Sequence, residues 1–251
     1  MKLSATIITL NEEDNIERCV RSLIGVADEI VILDSLSTDR TAEICSKLPV
    51  IFHQKAWMGY AQSKNYLNSL TTNEYILSID ADEVLSDELR ESILREKEQG
   101  FHGAYSVNRL TNYLGQWIYH SGWYPDIKVR LFPKSICQWD GMYVHETLEM
   151  KQPLEVNMLN GHLEHYSYKS FEDHRARADK YSLLTAQKMA AQGKKASVLK
   201  PYLSAIGRFV AMYIIKGGFL DGKMGYKIAQ ISAQSNILKY KELRRINSEN
   251  N

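Results

Sequence analysis

The feature that most constrains the fold is a regular alternation of apolar runs and helical patterns over the first 80 residues. β-Branched, apolar runs predict strands at 3–10, 29–34, 50–54 and 74–80, and amphipathic segments lie between them. Successive βα units predict a parallel, doubly wound sheet, because parallel strands need a crossover connection. In the first crossover Asn11 is the predicted helix cap, since Asp14 follows three residues later.

The pattern changes after residue 103. Short alternating segments broken by Gly, Pro and Asn predict a mixed or antiparallel extension of the sheet. From residue 171 the chain is predicted to be helical, over roughly 171–192, 196–216 and 223–245. The fold class is therefore α/β, with a mostly parallel sheet, a mixed extension and a C-terminal helical segment.

Acidic and amide side chains follow three of the predicted strands. They are Asn11 and Glu12 after the first strand, Asp34 after the second, and Asp80, Asp82 and Glu83 after the fourth, in "SIDADEVL". The carboxyl ends of parallel strands share one edge of a sheet, where α/β proteins bind their ligands. Clustered acids repel one another unless a cation lies among them, and oxygen ligands favour Mg²⁺ or Mn²⁺ held together with substrate phosphates. The sequence thus predicts a divalent metal bound to a diphosphate.

Two other interpretations of "DADE" are open. Asp and Glu are favoured in the first turn of a helix, so the stretch is also typical of a helix start. "DADEV" further matches the D-x-D-x-[T/V] pattern of aspartyl-phosphate phosphatases, in which the first acid is a nucleophile. That motif follows the first strand and has an acid pair downstream, whereas here it follows the fourth strand and no such pair appears after it. The phosphatase interpretation is therefore disfavoured.

Four stretches together carry a family resemblance: "TIITLNEEDNIERCVRSL", "DEIVILDSLSTDRTAEI", "GYAQSKNYLNSLTTNEYILSIDADE" and "KVRLFPK…WDGMYVHETLE". The chain resembles family 2 glycosyltransferases of the GT-A fold. Within that family it is most similar to the lipopolysaccharide inner-core β-1,4-glucosyltransferases, through "LEHYSYKSFEDHRARADKYS" and "FVAMYIIKGGFLDGKMGYKIAQ". The resemblance spans nearly the whole chain. One departure is Leu36, where the family usually has glycine.

The resemblance implies an inverting, metal-dependent transferase. It would move a hexose, expected to be glucose, from a UDP-sugar to an inner-core heptose or a related cell-surface glycan. The expected division is a GT-A domain at 1–168, with a nucleotide-binding half at 1–100 and an acceptor half at 101–168, followed by a basic helical region at 169–251. The chief alternative is a non-catalytic sugar-nucleotide-binding or scaffold protein with the same fold.

The resemblance also implies roles for individual residues. Asn11, Glu12 and Asp34 would line a uridine pocket, while Lys64 and Asn65 would lie near the nucleotide or its phosphates. Asp82 would bind the Mg²⁺ or Mn²⁺ directly, and Asp80 would contact the ribose or the waters of the metal. Lys128 and Arg130 would add positive charge near the phosphates or the acceptor. For the lysines, Asn65 and Arg130, ordinary solvated surface is the alternative.

An inverting displacement needs one general base and no protein nucleophile. Glu146 in "VHETLE" is the predicted base, and Asp126 and Asp140 are the other candidates. The alternative for Glu146 is that it is only an exposed acid on a strand, without a catalytic role. His145 would point to the other face of a strand. His165 is interpreted as a core histidine or, as in some GT-A enzymes, as a third metal ligand.

The C-terminal region is basic, with ten Lys or Arg against two acids over 195–245. Its most apolar part, 205–220, is interrupted by Arg208 and Lys216, which leave an uncharged run of seven residues where a span needs about 20. A helix lying on an anionic membrane surface is predicted, beside a lipid-linked acceptor. A packing helix or a homodimer through these helices is the alternative. Nucleic acid is not the expected partner, because no recognisable nucleic-acid motif or aromatic-interleaved patch supports it.

These features predict a cytoplasmic protein, peripheral on the inner face of the bacterial cytoplasmic membrane. The N-terminus lacks the long apolar core of a signal peptide. The three cysteines, Cys19, Cys45 and Cys137, have no metal-ligand spacing and are predicted to be small core residues in a reducing compartment.

Overall fold

The computed structural model describes residues 1–141 and 146–249. The strands are β1 (Leu3–Thr9), β2 (Glu29–Asp34), β3 (Ile51–Gln54), β4 (Tyr75–Asp80), β5 (Glu83–Leu85), β6 (Ala104–Tyr113), β7 (Gln116–Trp117), β8 (Asp126–Pro133), β9 (Cys137–Asp140), β10 (Thr147–Met150) and β11 (Val156–Tyr168). The helices are α1 (Ile16–Leu23), α2 (Thr41–Cys45), α3 (Tyr60–Ser69), α4 (Asp87–Gln99), α5 (Phe171–Ala191), α6 (Lys200–Phe209) and α7 (Gly222–Glu249). A π-helix, Val210–Ile215, and a 3₁₀ turn, Gly218–Asp221, lie between α6 and α7.

The main sheet has the strand order β3-β2-β1-β4-β8-β6-β11-β5. Strand β1 is parallel to both β2 and β4, and β3 is parallel to β2. Strand β8 is antiparallel to β4 and β6, and β5 is antiparallel to β11. The predicted doubly wound sheet with a mixed extension and a helical C-terminus is confirmed.

The parallel strands are buried on both faces, which is why they appear in the sequence as continuous apolar runs. On one face Leu3, Ala5 and Ile7 of β1 belong to a core that includes Ile16 and Val20 of α1. On the other face Ile8 packs with Val31, Leu33 and Leu67. Burying each such aliphatic side chain contributes about 1.5–3 kcal/mol, so this packing stabilises the parallel part of the sheet.

The chain divides into two compact units. The first comprises 1–109 and 126–165, and the second comprises 110–125 and 166–251. The predicted boundary at residue 168 lies close to the last crossing between the units, whereas the excursion at 110–125 was not predicted. The second unit has its own core, around Tyr113, Ile118, Met212 and Ile228.

Two local predictions were wrong. Asn11 does not cap α1, because the backbone N–H groups of Asn15 and Ile16 close a turn on the Glu12 carbonyl and Asn15 occupies the cap position. Asn11 instead takes a left-handed φ of 56°. The single helix expected at 196–216 is α6 followed by the π-helix, and it begins at Lys200, where Pro201 is suited to a first turn.

Residues Met142, Tyr143, Val144 and His145 lie outside the described residues, so the predicted orientation of His145 is not addressed. Glu146 is described and directly precedes β10. Within the described chain no single helix is long and apolar enough to cross a membrane, although one bent pair, Lys200–Ile215 with Gly218–Glu249, reaches that length and composition together.

Candidate active site

The "DADE" stretch forms a tight link between two strands. Asp80 is the last residue of β4 and Glu83 is the first residue of β5, while α4 begins only at Asp87, where the Ser86 hydroxyl accepts the Leu89 N–H at 3.2 Å. The interpretation of this stretch as a helix start is therefore wrong. Its acids lie at the carboxyl edge of the parallel strands, as predicted from the strand pattern.

Asp80 is held between two cations. Its Oδ1 lies 3.1 Å from the Lys64 Nζ, and its Oδ2 accepts a hydrogen bond of 2.9 Å from the Arg130 guanidinium. Burial by itself would raise the pKa of Asp80, but the charges of Lys64 and Arg130 hold it well below the usual range. Asp80 is therefore an ionised acid whose two oxygens are both engaged.

Glu83 binds both Asp80 and Arg130 and so holds the two together. Its side chain is fully buried, and it accepts the Asp80 backbone N–H at 2.9 Å and the Arg130 guanidinium at 2.7 Å. Arg109 approaches the same Glu83 oxygen at 3.2 Å and then pairs with Asp126 at 2.7 Å. Glu83 was predicted only as one of the clustered acids, without a role of its own, and Arg109 was not predicted as a site residue. An arginine within an otherwise strand-like segment was the visible signal for Arg109.

Lys64 joins Asp80 to the predicted base. Its side chain is only 3% exposed, and its Nζ lies 3.2 Å from the Glu146 Oε1 and 4.6 Å from the centre of the Trp139 ring. Glu146 and Asp80 are thus bound to one ammonium group, although they are 66 positions apart in the chain. The alternative of a solvated Lys64 on the helix surface is excluded by its burial.

These contacts form an unbroken series of alternating charges, which we call the charge ladder. In order its members are Glu146, Lys64, Asp80, Arg130, Glu83, Arg109, Asp126 and Lys128. Buried ion pairs add little net stability, because desolvation offsets their attraction, but removing one partner costs about 3–5 kcal/mol. The ladder therefore acts to hold charged groups in place.

Asp82 lies apart from the ladder and pairs with His165. The His165 Nε2 is 3.2 Å from the Asp82 Oδ2, and the antiparallel register of β11 on β5 sets His165 opposite Glu83. Within the described residues no group of three or more His, Cys, Asp or Glu side chains is arranged to hold an ion by itself. A carboxylate and an imidazole nevertheless fit a Mg²⁺- or Mn²⁺-type site completed by substrate phosphates.

The residues predicted to line the uridine pocket join the loops that follow β1 and β2. The Asn11 Oδ1 accepts the Thr38 N–H at 2.8 Å, and the Glu12 N–H donates to the Thr41 hydroxyl at 2.9 Å. Asp34 is fully buried, and its carboxylate accepts the Ser37 N–H at 3.0 Å. These hydrogen bonds join the two loops. Direct contact of their side chains with a nucleotide base stays a prediction.

The remaining predicted residues have structural partners. Asn65 donates to the Trp139 carbonyl at 2.7 Å and accepts the Trp139 N–H at 2.9 Å, so its amide clamps α3 to β9. Burial would raise the pKa of Asp126, but Arg109 and Lys128 hold it below the usual range, which weakens this carboxylate as a base. Asp140, the other candidate base, is exposed at the end of β9.

No cysteine in the described chain supplies a nucleophile. All three are free and buried, as predicted. Burial, with the nearby charge of Glu83, raises the pKa of the Cys19 thiol well above its ordinary value, so this thiol stays protonated beside the Asp80 carbonyl.

Comparison with known proteins identifies the family of the chain. Residues 4–175 match the model of the family described as Glycosyl transferase family 2. The chain belongs to this family. It is 30% identical to an uncharacterized glycosyltransferase of Rickettsia typhi over 98% of this chain and 87% of that protein. It is also 30% identical to the lipopolysaccharide core biosynthesis glycosyltransferase LpsC of Rhizobium meliloti, over 93% of this chain and 88% of that protein.

Among solved structures, Staphylococcus aureus TarS (residues 1–349) in complex with UDP aligns at a TM-score of 0.49 and 12% identity, covering 100% of this chain and 92% of that one. Glucosyl-3-phosphoglycerate synthase from Mycobacterium tuberculosis aligns at a TM-score of 0.38 over 44% of each chain. The family membership and the sheet described above identify the fold of this glycosyltransferase as GT-A.

Proposed function

We propose that this glycosyltransferase moves glucose from UDP-glucose to a heptose of a lipopolysaccharide inner core, with inversion at the anomeric carbon. The observation that carries the proposal is the position of Lys64, whose ammonium lies 3.1 Å from Asp80 and 3.2 Å from Glu146. One buried cation thus holds together an acid of the D-x-D motif and a candidate base. The relative named for lipopolysaccharide core biosynthesis supports the acceptor class.

The donor is bound at the carboxyl edge of the parallel strands. Asp34, Asn11 and Glu12 frame the uridine through the joined loops, while Lys64 and Arg130 direct positive charge towards the diphosphate. Asp82 and His165 would hold a Mg²⁺ or Mn²⁺, and Asp80 would contact the ribose or the waters of the metal. When bound, the cation supplies Lewis-acid neutralisation of the charge that builds on the departing UDP.

The acceptor is activated by Glu146. Its carboxylate takes the proton of the acceptor hydroxyl as that oxygen bonds to the anomeric carbon, while the bond from this carbon to the β-phosphate oxygen breaks and UDP leaves. Lys64 orients the carboxylate through their ion pair. A single in-line displacement of this kind requires no protein nucleophile, and the protonated, buried Cys19 beside the site supplies none.

Because the proposed acceptor is linked to a lipid, we expect the enzyme to act at a membrane surface. An exposed apolar stripe follows α6 and the π-helix at helical spacing, with members 40–65% exposed: Leu199, Leu203, Ile206, Val210 and Ile214. Together with the basic excess of 195–245, the stripe supports peripheral binding to an anionic bilayer, on the cytoplasmic face of the bacterial inner membrane. A homodimer through the same stripe is the alternative outcome.

The function is tested by UDP release from the purified protein, with a screen of UDP-sugars on deacylated core oligosaccharide followed by mass spectrometry. We expect a hexose increment with UDP-glucose, in the presence of Mn²⁺ or Mg²⁺, and its loss with EDTA. Tight UDP binding without turnover on any acceptor would support the non-catalytic alternative. Flotation with vesicles containing phosphatidylglycerol, beside the molar mass in solution, separates membrane binding from dimerisation.

A further inference from the structure

The second unit contains a pocket that the transfer reaction described above does not use. Its volume is about 630 Å³, and we call it the Lys216 pocket. The side chains and backbone that define it belong to two segments, Tyr119, His120 and Tyr124 from one and Ile215, Lys216 and Gly217 from the other.

A buried carboxylate builds this pocket. Asp221, only 4% exposed, accepts the backbone N–H groups of Tyr119 at 3.2 Å and His120 at 3.0 Å. It also lies 2.9 Å from the His120 Nδ1, and because a carboxylate only accepts, this nitrogen carries the proton. The imidazole is therefore fixed in orientation, and its Nε2 has a lone pair that can accept a hydrogen bond.

Glycines bring the two segments together. Gly217 has a left-handed φ of 65°, and a methyl group built on it would come within 3.2 Å of the His120 ring. A methyl group built on Gly122 would come within 2.6 Å of the Lys216 Nζ. The Ser121 N–H completes the join by donating to the Lys216 carbonyl at 3.0 Å. The stretch "YIIKGGFLDGKMG" thus forms one wall of a defined pocket.

The chemistry of the walls is cationic and aromatic. Lys216 is exposed, and its ammonium has no ion-pair partner among the residues that the structure describes. The rings of Tyr119 and Tyr124 pack edge to face with centres 5.5 Å apart and add two hydroxyl groups. Ammonium, imidazole and phenol groups suit a phosphate or carboxylate on a saccharide, because they combine charge, donors and apolar ring faces.

The rim of the pocket is apolar. Ile215, which lines it, is 77% exposed, and Phe219 and Leu220 are exposed close by in the chain. A polar, cationic pocket with an apolar rim suits an amphiphile, because the charged head needs polar partners and the acyl chains need apolar ones.

We propose that the Lys216 pocket binds the anionic saccharide head, bearing phosphate or carboxylate, of a membrane amphiphile. The inference rests on the proposed function, since a lipid-linked, anionic core saccharide is the acceptor class proposed there. Lys216 binds the anionic group, the His120 Nε2 accepts a hydrogen bond from a sugar hydroxyl, and Tyr119 and Tyr124 contact the sugar.

The test compares Lys216→Gln and His120→Gln with Lys223→Gln, which removes the same charge from an exposed position outside the pocket. Calorimetry with deacylated, anionic core oligosaccharide should show binding weakened roughly tenfold by Lys216→Gln, as for the loss of one charge-assisted hydrogen bond, and by a smaller factor by His120→Gln, as for the loss of a neutral one. Lys223→Gln should bind as the unchanged protein does. The affinity for UDP should be the same in all four proteins, and their melting temperatures should agree.

Three further probes complete the design. Dephosphorylated oligosaccharide distinguishes phosphate from carboxylate as the recognised group. Either result supports the proposal if Lys216→Gln still binds the anionic oligosaccharide more weakly than the unchanged protein does. Phosphatidylcholine vesicles with phosphatidylglycerol carry lipid phosphate without the saccharide. A loss specific to Lys216→Gln on these vesicles but not on the oligosaccharide overturns the proposal, as does equal behaviour of Lys216→Gln and Lys223→Gln. Because calorimetry needs no turnover, failure of the proposed transfer reaction would be seen separately.

Discussion

The charge ladder of the first unit and the Lys216 pocket of the second both present cations, but they hold them differently. In the ladder Lys64 and Arg130 are buried, and each is bound to two carboxylates. In the pocket Lys216 is exposed, and the buried acid, Asp221, fixes backbone and imidazole. Charges that act on reacting atoms need a fixed geometry, whereas a charge that captures a ligand must be accessible.

The largest effect on activity is expected when the acid at the end of the ladder is replaced, since no such effect is expected from the pocket. Glu146→Gln should lower kcat by about 10²–10⁴-fold, because the amide cannot accept the proton of the acceptor hydroxyl. UDP affinity should change little. Steady-state kinetics beside Asp126→Asn and Asp140→Asn provides the control, and a Glu146→Gln enzyme with unchanged kcat would place the base elsewhere.

A slightly smaller effect is expected at the acid outside the ladder. Asp82→Asn should lower turnover by roughly 10²–10³-fold, since it removes a charge opposite the departing diphosphate while preserving volume. Mn²⁺ affinity, measured by calorimetry in the presence of UDP, should fall as well. Asp87→Asn, at the exposed start of α4, is the matched control. Near-normal turnover in Asp82→Asn would refute the metal assignment.

The second unit should reveal a buried group that is kept neutral, in contrast to the ladder. Burial lowers the pKa of His174 to about 4, and its Nδ1 lies 2.6 Å from the Tyr113 hydroxyl. Between the ordinary pKa, about 6.5, and pH 4, the unfolded chain binds a proton that the folded chain does not. The free energy of unfolding should therefore fall as pH falls through this window, by roughly 3 kcal/mol.

Denaturant unfolding at pH 7 and at pH 4.5 measures this effect when compared with His174→Gln. Carboxylates titrate in both proteins, so the difference between them isolates the histidine. An equal loss in the two proteins would show that His174 is protonated in the folded state.

The smallest effect is expected at Leu36, in the loop beside Asp34. Leu36 has a φ of 64°, in the left-handed region that disfavours every residue with a Cβ and explains the usual glycine of the family. Leu36→Gly should raise the free energy of unfolding by about 1 kcal/mol, or less if unfolded-chain entropy offsets the relief. Thermal unfolding checks the sign, with Leu199→Gly, at an exposed site of ordinary φ, as the control.

The parallel half of the sheet could be predicted because its strands are buried on both faces and end in acids, a local pattern. The partners of those acids could not, because they depend on distant pairing. Lys64 meets Glu146 from 82 positions away, and His165 reaches Asp82 only through the register of β11 on β5. The excursion of 110–125 into the second unit likewise has no local signal, since its partners are helices far along the chain.

Because the central members of the ladder are buried, their ion pairs should depend little on ionic strength. Mobile ions screen exposed charges over about 8 Å at physiological salt, but they hardly enter a packed interior. Lys64, Glu83 and Arg130 are each at most 6% exposed, so their attractions persist in concentrated salt. An exposed ammonium such as Lys216 has no such shelter. Added salt therefore separates the two regions without any mutation, because it weakens capture at the surface and leaves the arrangement of the buried charges unchanged.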